Sequence, residues 1–296
     1  MSILLSGQLL ISALAAGAIY ALVAVGLNLV YGTLRLLNVS HGDLVMLGAY
    51  AAFWVIALSG FSPLWSIPIV FIFGILLGAV AYFGLLRYML RQSQIADRIE
   101  SNSLLVFFAI SIILQNSVAL IFTNNTRAYQ YLEEIVQFGN VSITANRLLA
   151  LVISLFLVVA VVIFLRRSIY GLAIRAVIQN RDAAAIVGIN LRNLYLMSLI
   201  FGFSLAMVAG VLVSMHGQIW PFMGFSFTVS AFVVIMLGGL GNIMGGLAAA
   251  LLLGILETYG LAIVGANYRS ILVYCVFVGV LMLKPEGLFG SSRVAQ

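Results

Sequence analysis

The chain has 296 residues, of which 64% are hydrophobic and only 7% are charged, with a net charge of +6. A soluble domain is about 45–50% apolar and about a quarter charged. The apolar excess is more than one globular core can bury, which excludes a soluble enzyme, a nucleic-acid-binding domain and a secreted disulfide scaffold. At about 20 residues per membrane-spanning helix, the composition predicts an all-α polytopic membrane protein.

Nine apolar runs follow one another along the chain. Eight are counted as transmembrane helices, at about 8–31, 44–60, 64–86, 102–123, 148–165, 194–215, 243–263 and 270–283. The run 228–238 is too short to cross a bilayer of about 30 Å, so we predict a broken or re-entrant segment there. Met1–Leu5 lacks a basic n-region, which favours a retained first span over a cleaved signal. Residues 1–296 are predicted to form a single transmembrane domain.

The few charges predict the orientation. The segment 166–192 contains five arginines and one acid, and 87–100 contains three arginines and two acids. Because basic residues favour cytoplasmic loops, both segments are predicted to be cytoplasmic, and the balanced segment 124–147 is predicted to be external. If the short run counts as a crossing, the N-terminus lies outside and the C-terminus lies in the cytoplasm. Arg35, Lys284 and Arg293 then fall inside.

One internal similarity is visible. Val45–Ala49 (VMLGA) resembles Ile235–Gly239 (IMLGG), 190 positions later. Transporters often contain duplicated halves, with binding sites where glycine-interrupted helices meet. A match over five apolar positions is equally compatible with duplicated halves and with chance.

The most polar interruption is the segment 38–43, directly before an apolar run. Ionisable residues at a membrane boundary are costly, and they commonly line a pathway or satisfy a helix end. One hypothesis is a helix broken at Gly42 that presents polar groups to a solute. The alternative is that Ser40 or Asp43 caps the following helix. Both can hold at once.

Two further features lie in the C-terminal half. The segment 238–246 has five glycines in nine residues, but no Gly-Lys-Ser/Thr follows, so it is not a nucleotide-binding loop. Close helix packing or a backbone bend is favoured, with solute contact as the alternative. Glu257 stands almost alone in an apolar run. It is either a proton or substrate-ammonium site or, as we favour, an acid hydrogen-bonded to a neighbouring helix through Tyr259 or Tyr274.

These features define the candidate substrate pathway. Its residues are Asn38, Ser40, His41, Gly42, Asp43, Gly239, Gly241 and Glu257. Four other polar residues, Gln115, Asn116, His216 and Gln218, are expected to hydrogen-bond across helices rather than contact solute.

No catalytic or metal-binding constellation is present in the sequence. The only histidines are His41 and His216, without ligand spacing, and Cys275 is the single cysteine. No serine occupies a Gly-x-Ser-x-Gly elbow. We therefore predict that the chain is not an enzyme, binds no metal and binds no cofactor. Cys275 is predicted to be a small buried hydrophobe.

The segment 166–192 has the pattern of a short helix. Asp182 is predicted as its N-cap, the following alanines favour helix, and Gly188 is predicted to end it after one or two turns. A helix with small side chains can lie deep in a groove of another protein. An ordinary connecting helix is the alternative.

Together these residues resemble the permease subunits of bacterial branched-chain amino-acid ABC importers, of the LivH type. In chain order, the resemblance rests on Gly17–Leu22, Tyr31-Gly32, Asn38–Asp43, Met46–Tyr50, Gly171–Gly188, Gly238–Asn242 and Pro285–Gly290. Two positions depart from the family pattern. The family usually has glutamate where Asp43 stands, and Ser-Ile-Pro-Gly where this chain has Asn-Ile-Met-Gly at 242–245. Both departures leave the substrate open, since urea and short-amide permeases share these motifs.

The resemblance implies partners and a mechanism. A coupling helix would dock into a cytoplasmic ATPase, with Gly171, Arg175, Ala176, Asp182, Ala184 and Gly188 as the candidate coupling residues. A second homologous permease, two ATPase subunits, an extracytoplasmic solute-binding protein and membrane lipid are the implied partners, without nucleic acid. ATP would be used by the ATPases in ATP-driven alternating access across the bacterial cytoplasmic membrane. A stand-alone channel or an ion-coupled carrier is the alternative from another class.

Overall fold

The computed structural model describes residues 7–92, 96–139, 141–265, 268–284 and 287–289. Features named above that lie outside the described residues are Met1–Leu5, Pro285, Glu286, Gly290, Arg293 and the side chains of 90–100. The fold within the described part is helical apart from one β-hairpin.

The elements follow one another with short connections. In the first half they are α1 (Gly7–Leu34), α2 (His41–Ser59), a 3-10 turn (Pro63–Trp65), α3 (Ser66–Ala81), a π-helical turn (Tyr82–Leu86), α4 (Arg87–Gln92) and α5 (Ala96–Phe122). The strands β1 (Ile135–Phe138) and β2 (Val141–Thr144) follow. The second half contains α6 (Ala145–Arg167), α7 (Ile169–Gln179), α8 (Arg181–Ile186), α9 (Leu191–Ser214), α10 (Met223–Gly238), α11 (Ile243–Val264) and α12 (Arg269–Leu283).

Seven stretches of the described chain are long and apolar enough to cross a membrane. They are Gly7–Leu34, His41–Ser59, Pro63–Met89, Ser101–Phe122, Ala145–Arg167, Leu191–Ser214 and Ile243–Val264. They confirm the prediction of an all-α polytopic membrane protein and correspond to seven of the eight predicted spans. The eighth, 270–283, corresponds to α12, whose 15 residues are fewer than the about 20 of a full span.

The short run 228–238 is part of a longer helix than its apolar length suggested. α10 is continuous from Met223 to Gly238, so the helix is not broken within this run, and a re-entrant segment stays a prediction. Its 16 residues extend about 24 Å, less than the hydrocarbon thickness. The backbone break comes immediately after it, at residues 239–242. Duplicated halves stay a prediction, since Val45–Ala49 lies early in α2 and Ile235–Gly239 straddles the end of α10.

α1 is the central helix, surrounded by α6, α9, α10 and α11. Small residues let its neighbours approach closely: a Cβ at Gly26 would lie 2.8 Å from Gly202 O of α9, and a Cβ at Gly254 of α11 would lie 2.5 Å from Gly17 N. Lipid offers no hydrophobic force between helices, so such packing contacts hold the bundle together. The 20 buried residues of α1 place it between the other helices rather than at the lipid surface.

The segment predicted as an external loop contains structure that the sequence did not reveal. β1 and β2 pair antiparallel, with Ile135 opposite Thr144. Arg127 pairs with Ile219 through two backbone hydrogen bonds of 2.8 Å. Its guanidinium lies 5.2 Å from the ring centroid of Phe53, which ties this segment to α2. The chain just before the hairpin is therefore anchored to α2 through Phe53 and to the connection between α9 and α10 through Ile219.

Tyr129, in the segment before the hairpin, bonds to Ser214 at the end of α9. The Tyr129 and Ser214 hydroxyls lie 2.7 Å apart, and burial raises the pKa of Tyr129 to about 12, so the phenol stays protonated near neutral pH.

Cys275 of α12 is exposed in this chain. The prediction that it is buried is wrong, because an apolar run alone does not distinguish a helix face packed against protein from one facing outward.

Candidate translocation site and coupling surface

The polar segment 38–43 lies where α1 ends and α2 begins. α1 ends at Leu34, Arg35 adopts a φ of +56°, and α2 starts at His41. Four side chains of the segment are buried, at 3% exposure or less: Asn38, Ser40, His41 and Asp43. The helix break therefore precedes His41. Gly42 is the second residue of α2, so the predicted break at Gly42 is wrong.

The start of α2 is capped from another helix. Gly42 N donates to Thr228 Oγ1 of α10 at 2.9 Å, and the Thr228 hydroxyl donates to Val39 O at 2.9 Å. Ser40 occupies the N-cap position, but its hydroxyl donates to Asn38 Oδ1. The prediction that Ser40 or Asp43 caps this helix is wrong, because Thr228 supplies the acceptor.

His41 and Asp43 join α2 to its neighbours. His41 Nε2 lies 3.1 Å from Val23 O of α1, and Gln115 Nε2 of α5 donates to Asp43 Oδ1 at 2.9 Å. The expected cross-helix bond of Gln115 is confirmed, whereas Asn116 donates to Ile112 O of its own helix and that expectation is wrong. The segment 38–43 thus connects α1, α2, α5 and α10 in the packed interior.

A buried asparagine that the sequence analysis did not single out holds the glycine segment. Asn28 of α1 donates through Nδ2 to Asn242 O at 3.0 Å and accepts at Oδ1 from Gly241 N at 2.9 Å. Gly239 and Gly241 have φ values of +87° and +82°, which glycine adopts without strain. Asn242 then caps α11 by accepting from Gly245 N at 3.0 Å. The predicted backbone bend is confirmed, with Asn28 as its support.

Replacing Asn28 with leucine is expected to destabilise this bend. The change leaves a partly buried N–H and a partly buried C=O without their partner, at about 1 kcal/mol each. We expect a lower melting temperature in detergent and faster proteolysis between α10 and α11. Asn116→Leu is the matched control, since Asn116 is exposed and bonds only its own helix among the hydrogen bonds of the described residues. Equal melting temperatures for the two variants would contradict the role of Asn28.

Glu257 of α11 is hydrogen-bonded to a side chain of α1. Tyr20 donates a hydrogen bond to Glu257 Oε2 at 2.5 Å, and the acid is only 6% exposed. The favoured prediction of a hydrogen bond to a neighbouring helix is confirmed, with Tyr20 as a donor that the sequence did not indicate. Tyr274 of α12, one of the two predicted partners, lies in the wall of the cavity beside this pair.

Two cavities adjoin the Tyr20–Glu257 pair. One has a volume of about 240 Å³ and the other about 340 Å³, and both include Trp220 and Phe227 in their walls. The smaller adds Ser226, Val229, Ser230, Val273 and Tyr274, and the larger adds Ala16, Ile19, Val213, His216, Gly217, Gln218 and Met223. Glu257 is the one predicted pathway residue that lines either cavity. We call the two together the Glu257 cavity.

The predicted coupling segment folds into two helices, α7 and α8. A Cβ at Gly171 would overlap Leu165 O, so the tight turn from α6 into α7 requires glycine there. Arg175 Nη1 donates to Leu165 O at 2.6 Å and closes the end of α6. Ala176 is half-buried on the same helix. Gly171 and Arg175 therefore shape the turn itself.

α8 is the short helix that the sequence predicted, with a different cap. Asn180 Oδ1 accepts from Asp182 N at 3.1 Å and from Ala183 N at 3.0 Å, so Asn180 is the N-cap and the prediction of Asp182 is wrong. Two adjacent residues can each serve as a cap, and the sequence alone did not rank them. Gly188 has a φ of +88° just after the helix, as predicted for a terminator.

The exposed face of α8 contains the predicted small residues Ala183 and Ala185, and larger apolar side chains lie beside them. Ala184 is buried, whereas Ile186 is 85% and Val187 is 76% exposed. Ile169, Tyr170 and Leu172 of α7 are exposed as well. We call these five residues the coupling surface. An apolar surface of this kind marks an interaction site in protein or membrane.

Both coupling helices contact the interior helices. A Cβ at Gly32 of α1 would lie 3.0 Å from Ile178 Cδ1 of α7 and 3.5 Å from Gly241 Cα. The Arg181 guanidinium of α8 lies 5.3 Å from the ring centroid of Tyr195 on α9. α1, α9 and the glycine bend therefore meet the helices that carry the coupling surface.

Comparison with known proteins identifies the family. The family described as "Branched-chain amino acid transport system / permease component" matches residues 9–281. The chain belongs to this family. It is 31% identical to the high-affinity branched-chain amino acid transport system permease protein BraD of Pseudomonas aeruginosa, over 97% of this chain and 96% of the relative. These coverages mean that the permease resemblance extends over nearly the whole chain.

Two further relatives differ in the substrate that their names give. LivH of Escherichia coli (strain K12), a high-affinity branched-chain amino acid transport system permease protein, is 30% identical over 94% of this chain and 93% of its own length. The nucleoside ABC transporter permease protein NupB of Lactococcus lactis subsp. cremoris is 27% identical over 75% of this chain and 64% of its own length. No solved structure matches this permease.

Four residues of this permease's site escaped the sequence analysis: Tyr20, Asn28, Thr228 and Ile186. Tyr20, Asn28 and Thr228 lie in apolar runs and bond to positions about 190–240 residues away. A single polar side chain in an apolar run was the available signal, as it was for Glu257. Their partners could not be read from spacing within one helix.

Proposed function

We propose that this chain is a permease subunit of an ATP-driven importer of branched-chain or other small amino acids. The observation that carries the proposal is the similarity over nearly the full chain to BraD and LivH, whose names give this substrate class. ATP is hydrolysed in separate subunits, and the permease itself binds neither ATP nor another cofactor. Solute crosses by alternating access.

The orientation follows from the charges. Arginines concentrate around α7 and α8, and Glu133 and Glu134 are exposed beside the β-hairpin. Basic residues favour the cytoplasmic side. We infer a multi-pass protein of the bacterial cytoplasmic membrane in which the N-terminus and the hairpin are external, and the coupling surface and the C-terminus are cytoplasmic.

The partners meet the permease at opposite ends. We infer that a cytoplasmic ATPase docks on the coupling surface, because Ile186 and Val187 would otherwise present apolar side chains to water. An extracytoplasmic solute-binding protein docks at the external side, near the hairpin. A second homologous permease and a second ATPase complete the assembly within membrane lipid.

α1 supports a mechanical link between these ends. Gly32 contacts Ile178 of α7, and Tyr20 on the same helix holds Glu257. Gly32 and Tyr20 are 12 positions apart on one helix, which corresponds to about 18 Å along its axis. A displacement of α7 by the ATPase would therefore move Tyr20 and the Glu257 cavity.

The predicted pathway residues then divide into two groups. We propose that Glu257 contacts solute, since it lines a cavity. The segment 38–43, Gly239 and Gly241 hold α1, α2 and α10 in register through buried hydrogen bonds. Their substitution would impair folding before it altered substrate choice.

The complex reconstituted in liposomes is expected to accumulate L-leucine only with ATP, the ATPases and the cognate solute-binding protein present. Uptake of radiolabelled leucine measures this directly, with an ATPase-dead complex as the control. Leucine transport by the permease alone would favour a channel or carrier. Uptake of urea, a short amide or a nucleoside in place of leucine would support the importer function and replace the proposed substrate class. For nucleosides alone, the name of NupB gives a precedent.

A further inference from the structure

The Glu257 cavity combines features that suit one chemical group. Its carboxylate lies among aromatic side chains: Tyr20, Trp220, Phe227 and Tyr274. A carboxylate pairs with a cation, and aromatic faces attract cations through their quadrupole. Together they form a polar centre suited to an ammonium group.

The remaining wall suits the rest of a zwitterionic solute. Gln218 supplies amide N–H donors that can meet a carboxylate, and His216, whose ring bonds to the backbone of Leu212, lines the same wall. Ile19, Val213 and Met223 supply apolar surface for an aliphatic side chain. Small-molecule sites typically combine mostly apolar walls with a few polar groups. Volumes of about 240 and 340 Å³ lie near or below the lower end of the roughly 300–1,000 Å³ typical of ligand pockets, which favours a small solute.

We propose that the Glu257 cavity binds the transported amino acid by its α-ammonium group, with Glu257 as the anionic partner and Tyr20 as the residue that positions it. The inference rests on the proposed function, which it deepens by placing substrate recognition in this chain as well as in the solute-binding protein. Urea, short amides and nucleosides lack an ammonium group, so the site would select against them.

Binding in the Glu257 cavity can be followed by the fluorescence of a tryptophan in its wall. Trp220 is one of three tryptophans and the one that lines the Glu257 cavity. In a Trp54→Phe/Trp65→Phe background, Trp220 is the sole tryptophan of this chain. The titration therefore uses the permease chain purified without its partner subunits, whose own tryptophans would add to the signal. The Trp54 indole nitrogen is buried without a hydrogen-bond partner among the described residues, so phenylalanine removes no such bond there.

The test titrates L-leucine and 2-hydroxy-4-methylpentanoate, its analogue with a hydroxyl in place of the ammonium, against the purified full-length permease chain. We expect leucine to change Trp220 fluorescence saturably and to bind at least about tenfold more tightly than the analogue, as expected for one charge-assisted hydrogen bond. In Glu257→Gln this preference should fall to near unity. Tyr20→Phe should reduce it partly.

The preference, rather than affinity, is the deciding readout because general damage weakens both ligands alike. Equal binding of the two ligands to the parent permease chain, a preference that survives in Glu257→Gln, or no fluorescence response to leucine would each overturn the inference. Leucine uptake by the complex reconstituted with the same parent chain, measured in parallel, tests the proposed function separately. If uptake failed while the preference for leucine over its hydroxyl analogue persisted, the result would contradict the proposed importer function and leave the proposed binding site standing.

Discussion

Replacing Gly48 with alanine is expected to destabilise the bundle strongly. A Cβ at Gly48 of α2 would overlap Met207 O of α9, and the obstacle is backbone, which cannot rotate away. A Cβ at Gly210 of α9 would likewise overlap Val45 O, so the two helices touch at reciprocal positions. Forcing extra atoms into a packed core costs about 1–3 kcal/mol, and backbone overlap places this change at the upper end.

The measurement is the melting temperature of the purified permease in detergent, with membrane yield as a second readout. We expect a fall of roughly 5–10 °C for Gly48→Ala. Gly279→Ala on α12 is the matched control, because no described atom lies within 4 Å of its added Cβ. That control should melt unchanged or slightly higher, since alanine favours helix over glycine. An unchanged melting temperature for Gly48→Ala would mean that α2 and α9 are not in close contact.

The helical architecture could be predicted from the sequence because the bilayer restricts which backbone structures can cross it. An apolar run of sufficient length has to form a helix when its backbone cannot bond to water. Gly188 and the bend at Gly241 were also predictable, since each follows from the backbone freedom of glycine. The predicted runs therefore resemble the observed helices closely, and the short helix α8 lies where its composition indicated.

The hydrogen bonds between different helices could not be predicted from the sequence. Thr228 caps α2 across 186 residues, and Asn28 supports a bend more than 200 residues away. No periodicity within one helix predicts such partners. For the same reason Ser40 was assigned a cap that Thr228 provides, and Ala184 was placed on a surface from which it is buried. The predicted run begins at residue 228 rather than at Met223 because Gly224 and Ser226 interrupt the apolar pattern of α10.

Replacing Ile186 with aspartate is expected to uncouple the permease while leaving its fold intact. Ile186 is the last residue of α8 and is 85% exposed, so a charge there meets water in the isolated chain. In a complex, the same charge would be desolvated at an apolar contact, and central interface residues of this kind cost 2 kcal/mol or more when lost. We expect ATPase co-purification to fall about tenfold or more, with substrate-stimulated ATP hydrolysis lost.

Ile186 is a sharper test of the coupling surface than Arg175. Arg175 bonds to Leu165 O, so Arg175→Glu would place a carboxylate against the end of α6 and perturb the turn itself. Ile135→Asp is the matched control for Ile186→Asp, since Ile135 is the same residue type, 65% exposed, in the hairpin at the inferred external end. It should retain ATPase co-purification. If Ile186→Asp also retained both the ATPase and its stimulation by substrate, α8 would not be the contact through which ATP hydrolysis reaches α1.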